Sequence, residues 1–150
     1  MFSLRPMLPS DREFAFRVYA DSRRDEFTSL GWTSIQQEAF LRMQFDIRER
    51  QYRAEYSDAD WSIILADGVD AGTMILRKTA DGAHLADIAL LSEFRRAGIG
   101  TEILDSLQKE GRKITLHVVR DNPAVRLYSR LGFTSRAGDS MYLSMEWNPQ

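Results

Sequence analysis

The segment that most constrains the fold of this chain is the loop Arg95-Arg96-Ala97-Gly98-Ile99-Gly100-Thr101. It follows a nearly continuous apolar strand, predicted over residues 85–91, and leads into a helix whose apolar stripe ends at Gly111. The glycines allow unusual backbone angles and the close approach of a ligand. The unpaired amides at the start of the helix, together with its partial positive charge, suit a phosphate or a diphosphate. The two arginines favour the same anion through charge-assisted contacts.

Two well-known glycine loops do not fit this segment. A Walker loop requires a lysine and a serine or threonine after its second glycine, but Thr101 and Glu102 follow Gly100. A dinucleotide fingerprint requires a third small residue where Ile103 stands. An ordinary strand-to-helix turn stays open as the structural alternative, since glycine pairs are common at turns.

The first half of the chain is predicted to contain a strand and two helices. An apolar stretch from Leu4 to Pro9 favours an edge strand, and Ser10 with Glu13 forms a capping box that predicts the start of the first helix. A longer second helix is predicted after a cap at Thr33 or Ser34. Its apolar stripe is predicted at positions spaced by four, with Phe40 widening it: Ile35, Ala39, Met43 and Ile47.

The second half alternates strands with two further helices. Together the predicted elements follow the order β-α-α-β-β-β-α-β-α-β-β. No stretch has the composition of a linker, so we expect one α/β domain over residues 1–150. The remaining strands are predicted at residues 61–66, 71–77, 85–91, 114–119, 133–136 and 141–147.

Composition excludes several functional classes. The 20 Lys and Arg residues against 22 Asp and Glu residues give a net charge of −2, which argues against nucleic acid as a partner. The chain has no cysteine, which excludes disulfides, thiolate metal sites and cysteine nucleophiles. No apolar run approaches the ~20 residues that span a bilayer, so we expect no membrane partner and a cytoplasmic protein. His84 and His117 are the two histidines, and we expect no metal site.

A second segment, one strand after the loop, makes the glycine pattern specific: Asn122-Pro123-Ala124-Val125-Arg126-Leu127-Tyr128-Ser129-Arg130-Leu131-Gly132-Phe133. In this order the two segments resemble the GNAT N-acetyltransferase superfamily, whose loop is Arg/Gln-x-x-Gly-x-Gly/Ala. Arg95, Gly98 and Gly100 match that loop, and the matching motifs cover residues 85–133, although Ser92 stands where many members carry proline. The resemblance implies an α/β (α+β) three-layer fold with a mixed, mostly antiparallel sheet.

The resemblance also implies acetyl-CoA as the acyl-donor cosubstrate. The loop amides would hold its diphosphate, the preceding strand would offer its backbone to the pantetheine arm, and the strand around residues 116–119 would splay away to leave a slot. For Asn122 a helix cap is an equally good explanation. The residues expected to bind the cofactor on this basis are Ile88, Ala89, Leu90, Arg95, Arg96, Ala97, Gly98, Ile99, Gly100, Thr101 and Asn122.

Tyr128 matches the tyrosine that many family members use as general acid. A phenol with an ordinary pKa near ~10 stays protonated at neutral pH and can give a proton to the departing thiolate. The alternative is a core tyrosine, since Val125 and Leu131 share its helical face. The general base is predicted at His84 or Asp87. A separation of three residues places these two on opposite faces of a strand, so we expect at most one of them to face the amine.

The predicted function is direct transfer of an acetyl group from acetyl-CoA to a primary amine in a ternary complex. A non-catalytic acyl-CoA-binding or regulatory module on the same fold is the alternative. The acceptor is not encoded in any motif, and the pattern is compatible with a monomer or a homodimer. Aromatic residues that are candidates for the acceptor pocket are Trp32, Tyr52, Tyr56 and Tyr142. A lone strand histidine such as His117 is expected simply to be packed.

Overall fold

The computed structural model describes the backbone of residues 1–150 and every side chain except those of Asp25, Thr28 and Ser29. The strands are β1 (Phe2–Pro6), β2 (Asp60–Ala66), β3 (Val69–Lys78), β4 (Gly82–Leu90), β5 (Lys113–Val119), β6 (Thr134–Gly138) and β7 (Tyr142–Trp147). The α-helices are α1 (Arg12–Arg23), α2 (Ser34–Glu55), α3 (Ile99–Lys109) and α4 (Ala124–Arg130). Short 3-10 helices lie at Pro9–Asp11, Arg24–Leu30 and Ser92–Phe94.

The strands form one seven-stranded sheet in the order β1-β2-β3-β4-β5-β7-β6. Every neighbouring pair is antiparallel except β4 and β5, which run parallel. The predicted mixed α/β fold with a mostly antiparallel sheet is therefore confirmed.

Helices cover both faces of the sheet. α3 places Ile99, Ile103, Leu104 and Leu107 in the main core, as its sequence stripe predicts. The strand residues of that core include Met74, Leu85 and Leu116. α1 and α2 lie on the opposite face, where Phe16 and Phe45 meet edge to face at 5.6 Å. No helix in the described chain is both long enough and apolar enough to cross a bilayer.

The predicted start of α1 is wrong. α1 begins at Arg12, with Asp11 as its N-cap residue, and the Ser10–Glu13 capping box does not form. The Asp11 carboxylate instead accepts a hydrogen bond from the Leu8 amide at 2.8 Å and binds Arg5 at 2.8 Å. By contrast Thr33 caps α2 as predicted, accepting from the Gln36 amide at 3.1 Å.

The predicted apolar stripe of α2 is also wrong, because it faces outward. Ile35 is 82% exposed, Met43 50% and Ile47 38%, whereas Leu41 and Phe45 are buried. The reason is geometric. With 3.6 residues per turn each step of four advances about 40° too far, so a strict four-residue spacing winds around the helix instead of following one face.

A β-bulge in β4 changes which residues share a face. Asp87 pairs with Ile75 and His84 pairs with Arg77, so three steps along β4 correspond to two steps along β3. The extra residue lets His84 and Asp87 project from the same face, towards α2. The prediction that they lie on opposite faces is therefore wrong.

Candidate active site

The sheet opens between its two parallel strands. β4 and β5 pair from Gly82↔Lys113 to Leu85↔Leu116. Beyond this point both strands continue, but they no longer pair with each other. β5 stays paired with β7 as far as Val119↔Tyr142, while β4 stays paired with β3 as far as Leu90. The result is a V-shaped slot whose apex lies at Leu85 and Leu116.

The glycine loop stands at the far end of this slot, where β4 leads into α3. Among the described residues, no amide from Arg96 to Thr101 donates to a backbone carbonyl, and the first helical bond is Glu102 N to Gly98 O at 3.0 Å. Six consecutive free amides at a helix start make a strong anion-binding site. The cradle consists of the predicted cofactor-binding residues Arg96, Ala97, Gly98, Ile99, Gly100 and Thr101.

Two left-handed residues shape this cradle. Gly98 has φ +82° and Arg96 has φ +62°. A Cβ added at Gly98 would meet nothing within 4 Å, so the space beside it is open for a ligand. A Cβ at Gly100 would touch Leu127 at 3.6 Å, an ordinary contact within the protein.

The Arg95 side chain links the glycine loop to neighbouring elements. Its Nε donates to the Leu90 carbonyl at 3.0 Å, and its guanidinium reaches Asp21 on α1 at 3.4 Å. The same Asp21 carboxylate accepts from the Ser92 amide at 2.7 Å. The Arg95 side chain therefore ties the loop to β4 and α1, whereas the Arg96 side chain is exposed.

The predicted pantetheine strand presents alternate backbone groups to the slot. A Cβ on Gly72 would lie 2.1 Å from the Ala89 carbonyl oxygen, so Ala89 turns its backbone towards β3. Because backbone direction alternates along a strand, the backbone groups of Ile88 and Leu90 face the open edge. The Leu90 carbonyl is already bonded to Arg95.

Tyr128 projects from α4 into the main core and is 6% exposed. It packs against Phe133, with ring centroids 5.7 Å apart. Burial, and to a smaller extent the negative charge of Asp87, raises the pKa of Tyr128 to about 12. No described residue accepts a hydrogen bond from its hydroxyl, and no buried side-chain oxygen of the described residues lacks a partner, so the hydroxyl oxygen stays accessible.

Asn122 caps α4. Its Oδ1 accepts from the Ala124 amide at 2.9 Å, and its carbonyl accepts from the Val125 amide at 3.1 Å. Capping thus occupies the side-chain oxygen, as expected of asparagine before a helix.

Asp87 is ion-paired with Arg48 of α2. The carboxylate lies 2.9 Å from the guanidinium, which also packs over the Tyr52 ring at 4.3 Å. Sequence reasoning missed Arg48, because a charged residue in the charged second half of α2 gives no signal that it faces the sheet. The pairing supplies the structural interaction that a carboxylate within an apolar strand requires.

Both ring nitrogens of His84 have partners. Nδ1 lies 2.8 Å from the Thr115 hydroxyl and Nε2 lies 3.4 Å from the Tyr56 hydroxyl. The ring stacks on Tyr56 at 5.9 Å and meets His117 edge-on at 5.4 Å. Burial lowers the pKa of His84, and the nearby His117 and Arg77 side chains lower it further.

His117 and three aromatic candidates line this face of the sheet. His117 is exposed, which contradicts the expectation that it is packed. Tyr142 pairs with Val119 in the same register, and Tyr52 and Tyr56 contact each other on α2 at 5.6 Å. The fourth candidate, Trp32, belongs to a separate cluster, where it contacts Phe27 and Phe40.

A cavity of about 130 Å³ lies beneath α1 and α2, next to Asp87. Its walls include Val18, Phe45 and Ile75, with Arg48 also contributing. In the described residues no three His, Asp or Glu side chains come together as a metal site.

Comparison with known proteins places this geometry in a family. The model of the acetyltransferase (GNAT) domain matches residues 57–135, just over half of the chain. An N-alpha-acetyltransferase of Sulfurisphaera tokodaii is 39% identical over an alignment of 57 residues, and the match covers 33% of this chain and 34% of that protein. The match therefore spans about a third of that relative's length.

Solved structures share the fold across the whole chain. The PaiA N-acetyltransferase of Thermoplasma acidophilum, solved in complex with coenzyme A, superposes with a TM-score of 0.70 at 20% identity, covering 100% of this chain and 99% of that one. The ribosomal-protein-S18-alanine N-acetyltransferase of Escherichia coli gives a TM-score of 0.61 at 20% identity, covering 99% and 94%. With the family model, the glycine cradle and the splayed strands in agreement, the chain belongs to the GNAT acetyltransferase family.

Proposed function

We propose that this protein transfers an acetyl group from acetyl-CoA directly to a primary amine, within a ternary complex. The observation that carries the proposal is the continuity of the slot. Free amides at residues 96–101 adjoin the open edge of β4, which leads to the strand apex at Leu85 and Leu116. Coenzyme A bound to the fold neighbour PaiA supports the same ligand here.

The residues present fit the chemical groups of acetyl-CoA. The amides of the cradle and the α3 dipole complement a diphosphate. The backbone groups of Ile88 and the amide of Leu90 suit an extended amide-containing arm, which would add to β4 as a strand does. Bound in this way, acetyl-CoA supplies a thioester carbonyl that an amine can attack.

Tyr128 is proposed as the general acid. Its pKa of about 12 keeps the phenol protonated at neutral pH. A protonated hydroxyl that no described residue binds can donate to the departing thiolate, which is the base released in the reaction. The absence of cysteine from the sequence supports direct transfer instead of an acyl-cysteine intermediate.

The second candidate function is a non-catalytic acyl-CoA-binding module. Such a module would bind acyl-CoA at the same cradle but would not require the Tyr128 hydroxyl. The Tyr128 ring is buried, yet no described residue accepts a hydrogen bond from its hydroxyl, and that oxygen is not enclosed without a partner, so it stays accessible to a ligand. That observation favours the enzyme.

Titration of CoA into two glycine variants tests the binding half of the proposal. Gly98→Val places a side chain in the open space of the cradle, so we expect CoA affinity to fall at least about tenfold, a loss of about 1.4 kcal/mol. Gly100→Ala is the matched control, because its new methyl group contacts Leu127 within the protein. We expect the control to bind CoA as the parent does.

The variants must be compared as folded proteins, since a side chain at φ +82° adds backbone strain. Circular dichroism and thermal unfolding establish this for each variant. A folded Gly98→Val protein that binds CoA with parental affinity would contradict the assignment of the cradle.

A further inference from the structure

Two imidazole rings meet at the apex of the slot. Leu85↔Leu116 is the last pair between β4 and β5, and His117 is the next residue of β5. Leu116 and Val118 are buried in the core with α3, so His117 projects from the opposite face, towards α2. Its exposed ring stands 5.4 Å from that of His84, at an interplanar angle of 63°.

The two rings have different freedom to react. His84 holds Thr115 through Nδ1 at 2.8 Å and Tyr56 through Nε2 at 3.4 Å. An acceptor amine could reach a nitrogen of His84 only by displacing one of these partners. His117 is the exposed ring of the pair, and it stands at the slot itself.

Tyr128 lies on the other side of the sheet from His117. It packs in the core that contains Leu116 and Val118, whereas His117 alternates with these residues along β5. The strand separation therefore has a phenol on one face and an imidazole on the other. This arrangement suits a reaction that delivers a proton to the leaving group and removes one from the nucleophile.

On the basis of the transferase function proposed above, we propose that His117, and not His84 or Asp87, accepts the proton that the acceptor ammonium must lose before it attacks the thioester. The carboxylate of Asp87 is held by Arg48 at 2.9 Å. His84 is a positioning residue that orients the His117 ring from below.

The proton balance of the reaction is complete with these two side chains. An ammonium group has no lone pair, so one proton passes from its nitrogen to the neutral imidazole of His117 and later to water. The amine nitrogen then bonds to the thioester carbon, and the carbon–sulfur bond breaks. Tyr128 donates its proton to the departing thiolate. The nitrogen loses its second proton as the amide forms, and this proton restores the Tyr128 hydroxyl.

The charged and titratable groups around His117 come from three elements. β4 contributes His84 and Asp87, α2 contributes Arg48 and Tyr52 together with its C-cap residue Tyr56, and β7 contributes Tyr142. Arg77 and Glu55 act on the neighbouring His84. Further along the same face, Glu146 is neutralised by Lys113 at 3.0 Å and by Arg136. The acidic groups near the slot are thus largely paired with cations.

The test compares His117→Gln with His84→Gln in the full chain, by turnover against pH on an amine that the parent acetylates. A base must be unprotonated to accept a proton, so a histidine base makes turnover rise with pH. In His117→Gln we expect turnover to fall about 10²–10⁴-fold and this rise to disappear, with CoA affinity unchanged. Because the site is open, added imidazole should restore part of the activity.

His84→Gln is expected to keep the rise with pH in its folded fraction. A His117→Gln protein that retains both turnover and the rise would overturn the proposal. So would loss of the rise in His84→Gln alone, which would make His84 the base. If the parent binds CoA but acetylates no amine, the proposed function fails, and the role of His117 fails with it. If the parent acetylates an amine and only the variants contradict the expectation, the role of His117 is wrong and the transferase function stands.

Discussion

The burial and protonation of individual residues in this site depend on the face of the sheet that each residue occupies. His117 follows the apex residue Leu116 and is exposed, whereas Tyr128 is buried in the core that contains Leu116. Burial holds Tyr128 in its protonated form, because a phenolate would lose its hydration. A residue with a motif match thus acquires its proposed chemistry from the packing around it.

Tyr128→Phe tests the general acid. The change keeps the ring and removes the proton donor, so we expect turnover to fall about 10²–10⁴-fold with CoA affinity little changed. Since the acid acts when protonated and its pKa is about 12, the ratio of parent to variant turnover should stay constant from pH 7 to 10.

Turnover over this pH range, with thermal unfolding as the control for folding, checks the expectation. A ratio that shrinks as the pH approaches 10 would indicate a phenol with an ordinary pKa. Unchanged turnover in the Phe variant would remove the catalytic role from Tyr128 while leaving the cradle in place.

Elements were predictable from the sequence where a periodic pattern or a local cap determines them. The stripe of α3, the cap at Thr33 and the glycine loop follow from neighbouring residues alone. The β4 bulge could not be predicted in this way, because one extra residue does not visibly change the alternation of apolar and polar residues in so short a strand. It reversed the predicted relation of His84 and Asp87, and with it the choice of base.

α2 shows a second limit of local patterns. Its inward-facing side includes Leu41, Phe45, Arg48 and Tyr52, which are spaced 4, 3 and 4 apart as a helical face requires. Two of these residues are polar, so hydropathy favoured the wrong face. The charge of Arg48 is accommodated only because Asp87, distant in sequence, lies opposite.

Two alanine variants of α2 measure this correction. Leu41→Ala removes a side chain that is 5% exposed, and we expect it to lower the free energy of unfolding by about 2–5 kcal/mol. Ile35→Ala changes a side chain that is 82% exposed and should alter it by no more than about 0.5 kcal/mol. Urea unfolding of both variants gives the comparison. Equal losses would mean that Ile35 is covered in solution.

At the scale of the whole molecule, the two ends of the sequence are interleaved. Phe2 of β1 packs against the core that contains α3 and Met145 of β7. We propose that residues 1–150 form one cooperative domain and therefore expect a single unfolding transition by fluorescence and circular dichroism. Two transitions, or two proteolytic fragments that each stay folded, would contradict this proposal.

Initial-rate kinetics with both substrates varied test the central claim most directly. Acetyl-CoA is varied at several concentrations of an amine chosen from a panel of peptides with free N-termini and small alkyl amines, and CoA release is followed with the acetylated product. Direct transfer in a ternary complex predicts intersecting reciprocal plots, equal amounts of CoA and acetylated amine, and a protein whose mass is unchanged by acetyl-CoA alone. Parallel plots with an acetylated protein would indicate a covalent intermediate. Tight CoA binding without turnover on any amine would contradict the claim and leave the chain as a binding module.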